Sequence, residues 1–190
     1  MRFRRLFFLA IAVIVVTVAA VAVVHRGGGG NGGTTGQGHG CLSDARVAPR
    51  TGLARGAVAA RFLTSVSIRR DGCIDAVSFT FASGTPAYRI GYETRQRAQT
   101  QDASGLHVPV TGNAFLVVHF SASRTARLRG GKLVRTYTGP DHVPSAAAEH
   151  VREVVKTGDF EAVVTWAIGV DAKHPFVVEV AGSTLVVDVA

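Results

Sequence analysis

The residues best spaced for chemistry lie in "KTGDFEAVVTWAIGVD" (156–171), where Asp159 and Glu161 bracket Phe160 just before the single tryptophan, Trp166. On an extended strand, side chains at i and i+2 point the same way, so both carboxylates would face one site. General acid–base catalysis exploits such a pair. The same letters also read as architecture. "TGD" suits a hairpin turn in which Gly158 takes positive φ and Asp159 bonds nearby amides. Val164, Trp166 and Ile168 then form one apolar strand face. The architectural reading is the stronger, and no catalytic residue is assigned.

Other chemistry is sparse. The seven histidines form no HxH, HExxH or His/Cys cluster, so neither a metal nor a cofactor is expected. His119 alternates with Phe115 and Val117 and reads as a satisfied core or edge residue. None of the strand-associated serines (65, 67, 78, 83, 121, 123) sits in a G-x-S-x-G elbow. "RGG" (129–131) and "GGGGNGG" (27–33) lack the strand–loop–helix context of a phosphate loop. Cys41 and Cys73 are the only cysteines, and without a C-x-x-C they read as a structural disulfide. That bond would pin the start of the domain to the turn before "IDAVSFTF", adding about 3–4 kcal/mol in the chain-entropy model.

One segment is chemically one-sided. "RTARLRGGKLVR" (124–135) carries Arg124, Arg127, Arg129, Lys132 and Arg135 with no acid among them. Gly130-Gly131 suggests a mobile tip, and Tyr137 follows as an aromatic platform. These six residues are the candidate ligand-binding set, with anionic wall polymer or lipid headgroups as the natural counter-charge. The overall charge of +8 overstates the basicity of the domain. Four of the 21 basic residues (Arg2, Arg4, Arg5, Arg26) flank the first apolar run and all 13 acids follow it, leaving the rest at about +4. Attraction of that size is weak and screened by salt. Dispersed cations without a recognition motif exclude nucleic acid as the expected partner.

The elements that must position these residues begin with an apolar run at 6–24. "LFFLAIAVIVVTVAAVAVV" (6–24) would cover roughly 28 Å as a helix, close to the apolar thickness of a bilayer. Arginines precede it, so the N-terminus is expected in the cytoplasm and the remainder outside. Cleavage after "AVA" (20–22) and secretion is the alternative, although the run is longer than a usual signal sequence. A lipidated Cys41 is rejected, because "GHGC" lacks the aliphatic residue three positions earlier. The expected organisation is a membrane anchor at 1–26, a Gly-rich linker at 27–40 and an extracytoplasmic domain at 41–190.

Within that domain the pattern is β. "SVSIRR", "IDAVSFTFA", "AYRIGYE", "AFLVVHFS", "AVVTWAIG", "FVVEVA" and "TLVVDV" are short, Val- and aromatic-rich, and separated by turn residues. Val77, Phe79 and Phe81 alternate with Ser78 and Thr80, and Tyr88, Ile90 and Tyr92 oppose Arg89 and Glu93. "SAAAEHVREVVK" (145–156) reads as a loop or single helical turn over 145–149, then a strand. Residues 44–61 stay open between loop and short helix. The expected fold is all-β, a β-sandwich of about seven to nine strands.

Several of these stretches, in order, resemble a known family. "VSIRRDGCIDAVSFTFASGTPAYRIGY" (66–92), "VTGNAFLVV" (110–118), "YTGP" (137–140), "VREVVKTGDFEAVVTWAIGVD" (151–171) and "LVVDV" (185–189) look like the AMIN-like domain of secreted or membrane-anchored proteins of high-GC Gram-positive bacteria. The family pattern maps onto Asp75, Pro86, Tyr88 and Tyr92. "CIDAV" departs from the usual aromatic–Asp–Arg–Val–Val, and Ala162 stands where Gly is common. The resemblance implies a β-sandwich and a non-catalytic cell-envelope binding or targeting module, with peptidoglycan or another anionic wall polymer as ligand. A wall hydrolase using Asp159 and Glu161, or a protein–protein adaptor of a membrane complex, are the alternatives.

Overall fold

The structure, a computed structural model, describes residues 41–54 and 60–190. The expected anchor (1–26) and linker (27–40) lie outside the described residues. Among those described, no helix is long and apolar enough to cross a membrane.

In chain order the elements are β1 (Arg50–Gly52), β2 (Arg61–Asp71), β3 (Ile74–Phe81), β4 (Ala87–Glu93), the short helix α1 (Arg95–Ala98) and β5 (Ala114–Ser121). Then follow β6 (Ser123–Arg124), β7 (Ala126–Arg129), β8 (Lys132–Arg135), β9 (His142–Pro144), β10 (Val151–Phe160), β11 (Val163–Val170), β12 (Phe176–Ala181) and β13 (Thr184–Val189). One sheet has the order β1-β4-β5-β11-β10-β9 and the other β12-β13-β3-β2-β6, with β7 and β8 forming a separate ribbon. The fold is all-β and sandwich-like. All seven strands expected from alternation are present, and "VREVVK" starts an eighth long strand.

Alternation explains the layering. Val77, Phe79, Leu185 and Val187 from the five-stranded sheet share a core with Leu116, Val118, Trp166 and Ile168 from the six-stranded one. Phe79 stands edge-to-face on Phe120 at 5.1 Å and on Trp166 at 6.0 Å, bridging the two sheets. Such pairs add to the burial that drives the fold. Trp166 is fully buried, as the apolar face of its strand requires.

The outer face of the six-stranded sheet is covered as well. Helix α1, N-capped by Thr94, and the segment after it lay Ala98 and Val110 over Phe115, Val117, Val155 and Ala167. This second small core explains why "FLVV" runs apolar on both faces.

The opening stretch corrects one expectation. Thr157, Gly158 and Asp159 do not turn; they continue β10, and the reversal falls at Glu161–Ala162, with φ of 48° and 61°. Gly158 is needed for a different reason. A Cβ there would collide with the Asp102 carboxylate, which lies across the strand. Residues 145–149 lack regular structure before β10, as expected, and β1 occupies part of the segment left open at 44–61.

Cys41 and Cys73 are joined, with Cα atoms 6.1 Å apart. Cys73 lies in the β2–β3 turn, so the bond fastens the start of the domain where the spacing placed it.

Candidate functional site

The cationic segment resolves into a distinct structure. β7 and β8 pair antiparallel through Ala126↔Arg135, Arg127↔Val134, Leu128↔Leu133 and Arg129↔Lys132. Gly130 and Gly131, at φ of 56° and 75°, supply the two left-handed residues that a tight hairpin demands. The expected tip is a two-residue hairpin turn. Directly opposed residues share a face. Arg127, Arg129 and Lys132 thus line one side with Val134, while Leu128 and Leu133 lie on the other with Arg135. Leu128 is 75% and Leu133 72% exposed. All five cations of the predicted set are exposed, but Arg124 belongs to β6, which pairs in parallel with the start of β2.

Tyr137 is the member of the set that the fold withdraws. It is 1% exposed, stacks edge-on against Trp166 at 5.4 Å and donates its hydroxyl to the Pro140 carbonyl at 2.6 Å. Burial pushes that hydroxyl above its ordinary pKa range, with the Asp141 charge adding to the effect. Its aromatic ring was needed by the inter-sheet core, so it cannot serve as a surface platform.

The paired acids do not share a strand. Asp159 accepts the Thr125 hydroxyl and so ties β10 to the base of the ribbon. Glu161 sits in the turn beyond the strand, so the shared-face argument for the two carboxylates no longer applies.

Two groupings appear that linear spacing did not reveal. The first is a cleft of about 670 Å³ on the outer face of the six-stranded sheet, lined by Arg89, Glu93, Arg97, Asp102, His119 and Thr165 among others. His119 Nε2 lies 3.1 Å from Glu93 and its Nδ1 3.3 Å from the Thr165 hydroxyl. Carboxylate, imidazole and hydroxyl follow in the order of a nucleophilic triad. However, Thr165 is 3% exposed and donates its proton to Asp102 at 2.7 Å. The chain of bonds holds the 99–107 segment onto the sheet. The Thr165 hydroxyl therefore donates to Asp102 instead of to the imidazole, so the three groups do not make the proton relay of a triad.

The second grouping is His150, Asp171 and His174, the one set of potential metal-ligating side chains that converges among the described residues. His174 Nε2 is 2.8 Å and His150 Nδ1 3.7 Å from Asp171 Oδ1. Burial opposes the Asp171 charge, but the hydrogen bond from His174 and the charges of both histidines outweigh it, holding its carboxyl below the usual range. The residues of the sequence motif position this group. Asp75, 1% exposed, accepts the backbone amides of Glu149, His150 and Val151 at 3.1, 2.6 and 2.9 Å. The Tyr92 hydroxyl donates to the His174 carbonyl at 2.8 Å and accepts from the His174 amide at 2.9 Å. Only Asp171 and His174, three apart, hinted at the group in the sequence.

Comparison with known proteins decides the relationship. The model of the AMIN-like domain matches residues 61–190. The chain belongs to the AMIN-like domain family. In general terms, such domains are cell-wall-associated modules. No curated protein and no solved structure matches the chain. In this AMIN-like domain the motif residues Asp75 and Tyr92 are backbone clamps. The ribbon lies between the motif stretches and outside both sheets.

Proposed function

We propose that this AMIN-like protein is a non-catalytic cell-envelope binding module, held to the membrane by residues 6–24 and binding an anionic wall polymer through the β7–β8 ribbon. The observation that carries the reading is the ribbon itself. Nearly every side chain on it is exposed, four cations are gathered on eight strand residues, and no acid lies within 124–135. A fold that needed the ribbon only for stability would bury some of it. Arg127, Arg129 and Lys132 on one face match the spaced charges of an extended polyanion, an attraction that salt should weaken.

The domain 41–190 should associate with purified sacculi at low ionic strength and release as salt is raised. The triple variant Arg127→Gln, Arg129→Gln, Lys132→Gln should lose most of that association at an unchanged melting temperature. Binding indifferent to both salt and these substitutions would move the contact elsewhere. Leu128→Ser with Leu133→Ser separates the two sources of negative charge. Loss of binding to anionic vesicles with retention on sacculi identifies lipid contact as the leucines' share. In whole cells, a reporter active only outside the cytoplasm, fused after Ala190, should be active and membrane-associated. Its release into the medium would favour the secreted form.

A further inference from the structure

We infer that His150, Asp171 and His174 form a zinc-binding site at the end of the sandwich opposite the β7–β8 ribbon. The two histidines come from different connections, His150 from the loop entering β10 and Asp171 and His174 from the link between β11 and β12. Their potential ligand atoms all lie within 4.8 Å of one another. Ligands at about 2.0–2.1 Å around a tetrahedral zinc ion stand roughly 3.3 Å apart. The 2.8 and 3.7 Å separations about Asp171 Oδ1 bracket that value. The imidazole rings lie 4.0 Å apart and 35° from parallel, so binding an ion between them requires the rings to splay apart.

A second observation favours an ion over a simple polar cluster. His150 Nδ1 is buried from solvent and has no hydrogen-bond partner, although it faces the Asp171 carboxylate. A buried ring nitrogen whose polar contact with Asp171 is too long for a hydrogen bond is under-satisfied, and a metal ion between them would satisfy it. The backbone of each histidine is independently fixed, His150 by Asp75 and His174 by Tyr92, and the Asp171 amide donates to the His150 carbonyl at 3.0 Å. Ligands held by surrounding hydrogen bonds are what a metal site requires.

The donor set selects the ion. Two imidazoles and one carboxylate suit a borderline-soft divalent metal, and they exclude calcium or magnesium, which take oxygen cages. Three protein ligands leave one tetrahedral position to solvent, and the group is partly exposed, with 19% of the His150 and 20% of the His174 side chain accessible. One feature opposes the ion. The Arg152 guanidinium lies 3.6 Å from Asp171 Oδ2 and competes for the carboxylate. That side chain is 45% exposed and free to swing outward.

The test uses the untagged full chain in detergent, with zinc alone as ligand and cobalt(II) as its visible probe. Titration calorimetry should give one zinc per chain, and cobalt(II) should give the intense visible bands of a tetrahedral site. Asp171→Asn, His150→Gln and His174→Gln should each weaken zinc binding by about tenfold or more. Arg152→Gln removes a competitor for Asp171 without removing a ligand of the ion and should tighten binding several-fold, so the site remains testable if a ligand variant folds poorly. Absence of zinc binding up to millimolar concentration overturns the inference. So does binding equally tight in all three ligand variants.

Discussion

The two ends of strand β10 are built on opposite principles. At its start, Asp75 is a fully enclosed carboxylate serving three amides of residues 149–151, and Tyr92 fastens the neighbouring link. At its finish, the β7–β8 ribbon rests on its own ladder and turns its side chains outward. A buried acceptor with three donors allows no substitution without leaving amides unpaired. An exposed ribbon allows almost any side chain that keeps the ladder and the Gly-Gly turn. The motif residues Asp75 and Tyr92 thus lie where the backbone is most constrained, and the ribbon proposed to meet a ligand lies where it is least so.

The sharpest way to break this contrast is Asp75→Ala. It strands three amides, at least one of them buried, and should cost about 3–4 kcal/mol, read as a lower midpoint in urea at unchanged m-value. A loss within 0.5 kcal/mol would mean that water replaces the carboxylate and that this end is less constrained than its geometry implies. Ala162→Gly tests the other end of β10 and should act in the opposite direction. Ala162 holds a left-handed φ of 61°, where Gly carries no steric penalty, so the change should stabilise by about 1 kcal/mol. Thermal unfolding should move upward by a few degrees, and a fall would show that the alanine methyl makes a contact of value. The smallest effect is expected on the ribbon. Leu128→Ser with Leu133→Ser should change stability by no more than about 0.5 kcal/mol, since both leucines are exposed. A larger loss by the same urea measurement would show that the ribbon packs on the body of the domain.

Much of the fold was legible because the signal was local. Strict alternation, as in Val77–Phe79–Phe81 or Tyr88–Ile90–Tyr92, fixes which face meets the core without knowing the partner strand. The β10–β11 turn was misplaced because Gly158 answers to Asp102, a residue 56 positions away, and the real turn uses Glu161 and Ala162 in a conformation their letters do not announce. Ala162 standing where the family usually has Gly was the one available hint. Among site residues, the cations of 124–135 were visible as a run, and their exposure follows from it. Tyr137 was misread as a surface ring because nothing in its neighbourhood reveals the Trp166 edge waiting for it. His150 and His174 converge only through sheet topology, which no linear spacing encodes.

The Cys41–Cys73 bond has a mechanical meaning beyond its contribution to stability. Traction reaching the domain along the chain from residue 40 arrives at Cys41 and passes straight into the β2–β3 turn, skipping the stretch that carries the edge strand β1. If the far point of load is the ribbon, the pull then runs lengthwise down β2, from Cys73 toward Arg61 and its β6 partner Ser123. Hydrogen bonds between strands lie across the strand direction, so the short β2–β6 pairing that passes this load on is stressed in shear. Without the disulfide the same pull would first open the Arg46–Phe176 bridge and then peel β1 from β4. A single covalent link therefore keeps the edge strand β1 off the path of the load.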